Sequence, residues 1–208
     1  MPRLIRMARG QSLIELLVAM VVIMIGLTAA ASFVFSNIRL QEISSDRVIA
    51  TNLAREGVEY AKALRDSNWL AGNAFNAGMS AGSGATADYS AVPYVNTSGV
   101  FQNFDFTPNT IGTDTNYTKI VRSSTAAGLG MYIQGAPGGV PVTGTSTSFL
   151  RMVEFGPICA DGVQIGVNGV DCTGHGVQTG VHVTSTVVWT KRGTQRSSVI
   201  VDELYDWR

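Results

Sequence analysis

Arg9-Gly10-Gln11-Ser12-Leu13-Ile14-Glu15, continuing through Leu16-Leu17-Val18-Ala19-Met20 to Ala29-Ala30-Ala31-Ser32-Phe33-Val34-Phe35, is the stretch whose reading decides the fold. From Leu13 to Phe35 the only charged residue is Glu15. As a helix rising 1.5 Å per residue, this stretch spans about 35 Å, enough to cross a bilayer core of about 30 Å. A lone carboxylate in hydrocarbon costs about 2.5–3.5 kcal/mol even on insertion scales, so Glu15 asks for a partner.

Upstream, residues 1–10 carry Arg3, Arg6 and Arg9 and no acid. Arginines just before a span hold that end in the cytoplasm and place the chain beyond Phe35 outside. The whole chain balances 15 basic against 15 acidic residues. Without the three leader arginines, 12 basic face 15 acidic residues, a net of −3. No basic block is dense enough to track a phosphate backbone, which argues against nucleic acid as a primary ligand. Charged residues are only 14% of the chain, and small polar residues are abundant. That composition suits an exported, β-rich surface. Cys159 and Cys172 fit the same reading: in an exported protein one pair is most simply a disulfide, whereas in a reducing cytosol the thiols would stay free.

Three readings compete for the N-terminal junction. One is a signal anchor that is never cut. The second is a secretory signal peptide cut after Ala31, since Ala29-Ala30-Ala31 supplies an A-x-A site. Glu15 and the unbroken helical pattern past Ser32 speak against it. The third follows from Arg9-Gly10-Gln11-Ser12-Leu13-Ile14-Glu15, which closely resembles the cleavage and methylation signature of type IV pilins and type II secretion pseudopilins. The resemblance implies a membrane peptidase cut between Gly10 and Gln11 on the cytoplasmic side. It also implies that the apolar helix persists, first as an inner-membrane anchor and then as the core of a helical filament. Position 11 is usually phenylalanine in that family and is glutamine here, which leaves methylation of Gln11 open. By the same resemblance Glu15 pairs with the N-terminal amine of a neighbouring subunit, neutralising both charges and fixing the axial register. A glutamate that snorkels to the headgroups is the alternative. The prepilin reading is preferred, because leader, glycine, Ser-Leu-Ile-Glu and long apolar helix agree.

Beyond Phe35 the helix signal persists. Ile49, Leu53, Tyr60 and Leu64 lie on one face, with Val58 and Ala61 beside them. Arg39 with Glu42, Arg55 with Glu59, and Lys62 with Asp66 stand at pairing distance along the helix. No proline occurs between Pro2 and Pro93. One helix of about 55 residues is expected from Ser12 to Asp66, apolar all round in its first half and amphipathic in its second. Gly26 and Gly57 read as tolerated interior glycines that weaken it locally.

Asn68 to about Pro108, rich in Ala, Gly, Asn and Ser, reads as loop. Strand signals begin near Tyr117, at 117–122, 129–134 and 148–155, the last with an ambiguous core face. The clearest hairpin closes the chain. Val181, Val183, Val187 and Trp189 share one face of a strand, 191–194 form the turn, and Gln195 to Leu204 return. That strand, the basic turn and the terminal Tyr205-Asp206-Trp207-Arg208 also resemble the C-terminal ends of PilV-type minor pilins.

The expected divisions are a leader at 1–10, a transmembrane and filament-core segment at 11–35, an amphipathic half-helix at 36–69, a variable loop region at 70–116 and an antiparallel β domain at 117–208. The expected fold is α+β and pilin-like, a long helix packed on a C-terminal antiparallel sheet. A disulfide closing the 14-residue loop from Cys159 to Cys172 would contribute about 3 kcal/mol in the chain-entropy picture. A metal site from Cys159, Cys172, His175 and His182 matches no standard zinc spacing, and calcium at Asp161, Asn168 and Asp171 lacks that of a known loop. No nucleophile–base signature accompanies the two histidines, and His182 is expected on the outer face of its strand. No catalytic residue, metal or cofactor is therefore assigned. The resemblance implies other pilin subunits, the prepilin peptidase, the inner-membrane assembly platform and membrane lipid as partners. The remaining alternatives are a pseudopilin of type II secretion, in a periplasmic pseudopilus, and a secreted or anchored ligand-binding β domain.

Overall fold

The computed structural model describes residues 13–79, 90–96, 100–106, 111, 118–125, 128–134, 143–165 and 172–206. Helix α1 runs from Leu13 to Ala71 over 59 residues. It is followed by strands β1 (Ser90–Val95), β2 (Phe101–Phe106), β3 (Lys119–Ser123), β4 (Tyr132–Ile133), β5 (Gly144–Cys159), β6 (Gln178–Lys191) and β7 (Thr194–Tyr205). The predicted α+β architecture is the one observed. The chain divides into two compact units, residues 1–46 and 47–208.

In the first unit, every side chain from Leu13 to Glu42 is exposed. The second unit holds the core. There α1 outlasts its expected end at Asp66 and stops by a Schellman turn. Gly72 takes a left-handed φ of 74°, its N–H bonds Trp69 O at 3.1 Å, and the Asn73 N–H bonds Asn68 O at 2.9 Å. Only glycine adopts that φ at little cost, so the helix ends where Gly72 permits. The Asn68 amide then donates to Phe75 O and Ala77 O, which fastens the following turn and seats Phe75 and Met79 in the core.

All strand pairings are antiparallel, and β5 is the axis of the sheet. Along one edge it pairs with β6 from Phe149↔Trp189 to Cys159↔Gln178. Its other edge is shared by β1, at Ser90↔Glu154 and Ala91↔Val153, and by β3, from Lys119↔Leu150 to Ser123↔Gly144. β2 continues outward from β1, β4 from β3 and β7 from β6. The β6–β7 hairpin turns on Arg192 (φ 52°) and Gly193 (φ 77°). Two left-handed central residues make the turn whose twist matches the strands it joins.

Strand parity decides what faces the helix. Val181, Val183, Val187 and Trp189 of β6 are buried, as their alternation predicts. Across the ladder they stand opposite Pro157, Phe155, Arg151 and Phe149 of β5. The core face of β5, ambiguous in the sequence, therefore carries Phe149, Arg151, Val153 and Phe155. His182 falls on the opposite face, paired with Glu203.

Three expectations are corrected. The stretch from Asn68 to Pro108 is not loop throughout, because it holds β1 and β2. Pro93 obscured β1, since proline cannot donate to a ladder. It is tolerated because β1 has parted from β5 after Ala91. On α1 the deepest residues are Ala50, Leu53, Ala54, Gly57, Val58 and Ala61, while Ile49, Tyr60 and Leu64 are partly buried flanks. Gly57 is accordingly a point of close approach. A Cβ there would strike the Ser185 side chain and lie 3.1 Å from Val153 Cγ2. Gly57→Val should lower stability by about 1–3 kcal/mol in a chemical-denaturation curve through overpacking. Its gain in helix propensity, below about 1 kcal/mol, does not offset that.

The third correction concerns Lys62, expected to pair with Asp66. It meets Asp202 of β7 at 2.8 Å and Glu59 at 3.2 Å, while Asp66 takes Arg65 at 2.9 Å. The Asp202 hydrogen bond lifts the Lys62 amine above its ordinary range, and the same bond holds the Asp202 carboxyl below its own. A raised lysine contributes stability that is lost as pH rises through its folded pKa. A lowered aspartate contributes stability that is lost as pH falls through its folded pKa. The pair thus stabilises between about pH 4 and about pH 10. Both side chains are about one-third exposed, so Asp202→Asn should cost only about 0.2–1 kcal/mol at pH 7. The difference in melting temperature should shrink as pH falls below about 4, through the lowered range of Asp202.

Candidate processing and assembly site

The helix begins, among the described residues, at Leu13, and Glu15 lies in its first turn. Glu15 is exposed, like the apolar side chains that follow it. Gly10 and Gln11, where the cut is expected, lie outside the described residues.

Within the apolar half of α1 the hydroxyls are satisfied internally. Thr28 Oγ1 donates to Ile25 O and Ser32 Oγ to Thr28 O, both at 2.9 Å. In hydrocarbon no water replaces these bonds, so back-bonding lets Thr28 and Ser32 sit in such a helix without an orphan donor. Among the described residues α1 is the one helix long and apolar enough to cross a membrane. Its apolar surface there can be covered only by something other than the described chain, lipid or other helices.

At the far end of the sequence the structure joins Cys159 and Cys172 in a disulfide, with Cα atoms 5.5 Å apart. Backbone bonds brace both arms: Cys159 N–H to Val163 O, Gly162 N–H to Cys159 O and Ala160 N–H to Val177 O, each 2.9 Å. Asp161 Oδ2 and His175 Nδ1 close the same loop again at 2.7 Å. That contact, aided by the Val163 N–H, holds the Asp161 carboxyl below its ordinary range. The bridge takes both thiols out of any metal site. His182 lies on β6, away from this clasp in the ladder, opposite Gly156 and Glu203. Asn168 and Asp171 are outside the described residues. No group of three or more His, Cys, Asp or Glu side chains placed to hold a metal ion occurs among the described residues.

One group escaped sequence reasoning. Arg151 is fully buried on the helix-facing side of β5. Its Nη1 donates to Glu56 Oε2 at 2.6 Å and to Leu53 O at 3.1 Å, both on α1. Its Nε donates to Gln134 Oε1 at 3.0 Å, and Gln134 Nε2 donates to Arg151 O at 2.8 Å. Glu56 also accepts from the Tyr60 hydroxyl at 2.7 Å. Burial first, and then the Glu56 carboxylate, push the Tyr60 phenol far above its ordinary range. The signal that could have found Arg151 was parity, since it alternates with Phe149, Val153 and Phe155.

The apolar helix carries one acid near its start, Glu15, and is followed in the sequence by a β domain stapled by a disulfide. Residues 5–31 match the family model of the prokaryotic N-terminal methylation motif. The match supports a type IV pilin or pseudopilin and points to a structural subunit rather than an enzyme. The motif implies assembly with other pilins and handling by the prepilin peptidase. Motif and apolar helix together fit anchoring in the inner membrane, followed by a pilus or pseudopilus. No curated protein and no solved structure matches the chain.

Proposed function

We propose that the chain is a subunit of a bacterial type IV pilus, of the minor kind, made as a prepilin and assembled through its N-terminal helix. The observation that carries this reading is the methylation motif at residues 5–31 running directly into an exposed apolar helix. Residues 1–10 are the leader, 11–35 the membrane and filament segment, and the second half of α1 bears the β domain. In the membrane Glu15 waits near the helix end. In the filament it meets the amine of Gln11 on a neighbouring subunit, with or without methylation. An opposite charge makes a buried carboxylate tolerable, and removing one partner of such a pair costs about 3–5 kcal/mol. The minor rank rests on the PilV-like hairpin and C-terminus.

The experiment is the intact mass and N-terminal sequence of the chain from cells with and without prepilin peptidase. The expected mature terminus is Gln11, dependent on the peptidase. A terminus at Ser32 would instead establish a secreted β domain, and an uncut chain a plain anchor. In the same cells Glu15→Ala should be processed normally yet largely missing from sheared filaments. Wild-type levels of that variant in filaments would remove the assembly role of Glu15. Recovery with a secretion apparatus rather than with surface fibres would assign the chain to a type II secretion pseudopilus.

A further inference from the structure

We infer that Arg151 is a latch that holds the second half of α1 at one axial and rotational setting on the sheet. The buried face of the helix is Ala50, Leu53, Ala54, Gly57, Val58 and Ala61, with Arg65 and Asn68 beyond them. Its small side chains let the helix come close, closest at Gly57. Shifting α1 by four residues, about 6 Å, returns the same face to the sheet; one direction brings Lys62 and Arg65 to the places of Val58 and Ala61, the other brings Leu53 to the place of Gly57. Packing at Gly57 opposes the second slip, and the polar contacts of Arg151 add a selection that acts in both directions.

The guanidinium discriminates sharply. Arg151 is held on the sheet side by Gln134, itself fully buried and fixed by the Val95 N–H that bonds Gln134 O at 3.2 Å. It is thus aimed at one point on α1, where a backbone carbonyl (Leu53) and a carboxylate (Glu56) converge on the same nitrogen. Four residues away in either direction the corresponding residues are Ile49 and Asn52, or Gly57 and Tyr60, none of which is a carboxylate. A misplaced helix would leave a charged guanidinium buried without its acid, a large penalty of the kind that makes polar core groups enforce register. The remaining nitrogen, Nη2, has no hydrogen-bond partner among the described residues. The arrangement therefore serves selectivity better than it serves stability.

This inference rests on contacts inside the β domain and stands or falls separately from the pilin reading. Its test uses the full-length chain in detergent micelles with Cys159–Cys172 intact. Thr51 and Ser198 face each other with their hydroxyl oxygens 3.1 Å apart, so a T51C/S198C pair reports the native setting. The pairs R47C/S198C and R55C/S198C report a slip of one turn either way. In the otherwise unaltered chain only the first pair should cross-link. In Arg151→Met with Glu56→Leu, the apolar replacement should still unfold cooperatively. Its preference for the native pair over the slipped pairs should fall at least about tenfold. Arg151→Lys keeps the charge but lacks the fork that reaches Gln134, Leu53 and Glu56 together. Its preference should fall part of the way, and it decides the matter should the double variant fail to fold. Cross-linking confined to T51C/S198C in Arg151→Lys or in the double variant would overturn the latch.

Discussion

Arg151→Ala should destabilise the β domain by about 3–5 kcal/mol, read as a shift in the chemical-denaturation midpoint at constant slope. Truncation removes the buried cation, leaves the buried Gln134 facing a gap and leaves Glu56, about one-third exposed, without its partner. Glu56 loses its 2.6 Å partner, and Gln134 Oε1 loses the donor that Arg151 Nε supplies from β5. The cavity adds to the cost, since Arg151 is among the largest fully buried side chains. For a domain whose total stability is of the usual order of about 5–15 kcal/mol, that is a substantial fraction. Arg151→Met should be milder, because its unbranched thioether refills part of the volume and brings no charge to desolvate. If Arg151→Ala and Arg151→Met cost equally little, the guanidinium is not bearing on stability at all. Equal and large losses would instead mean that the charge pair outweighs the volume.

Which parts of this molecule could be read from the chain follows from how local their physics is. The long helix was legible because its signals repeat: an uninterrupted apolar run, no proline between Pro2 and Pro93, then amphipathic spacing. Its end was less so, because the stop depends on Gly72 adopting a left-handed φ that Asn68 and Trp69 complete from the preceding turn. The β6–β7 hairpin was legible because alternation and turn chemistry agree over adjacent residues. Arg151 was not, because its meaning depends on Glu56 and Gln134, which lie 95 and 17 residues away. The same holds for Lys62, whose partner Asp202 lies on β7 rather than one helical turn away. At the proposed assembly end the balance reverses. In the proposed function Gly10, Gln11 and Glu15 form a short pattern addressed to a peptidase and to neighbouring subunits, so the sequence speaks more directly there than one folded chain does.

The strands hidden in a loop-like composition lead to the other large effect expected. Phe101-Gln-Asn-Phe104-Asp-Phe106 carries three aromatic rings, and the structure uses all of them. Phe101 stacks on Tyr60 of α1 at 4.7 Å between centroids. Phe104 meets Phe101 edge-on at 5.1 Å and Phe155 at 4.9 Å. Phe106 lies 6.0 Å from Phe155. β2 joins the rest of the sheet only through β1, so its place depends on these rings more than on its ladder. Phe155, with no exposed surface, is where the rings of β2 converge on β5. Phe155→Ala should therefore cost about 3–5 kcal/mol from lost transfer energy and a cavity. Each ring pairing that disappears with Phe155 is itself worth about 0.5–1.5 kcal/mol. The loss should be local before it is global: amide exchange in β1 and β2 should accelerate more than in β7, whose ladder is with β6 alone. Phe155→Leu, which retains most of the apolar volume but no ring edge, should recover more than half of the deficit. Uniform acceleration of exchange across the whole sheet would show that β2 is not held by its aromatic chain, and that the Phe155 site serves the core as a single cooperative unit.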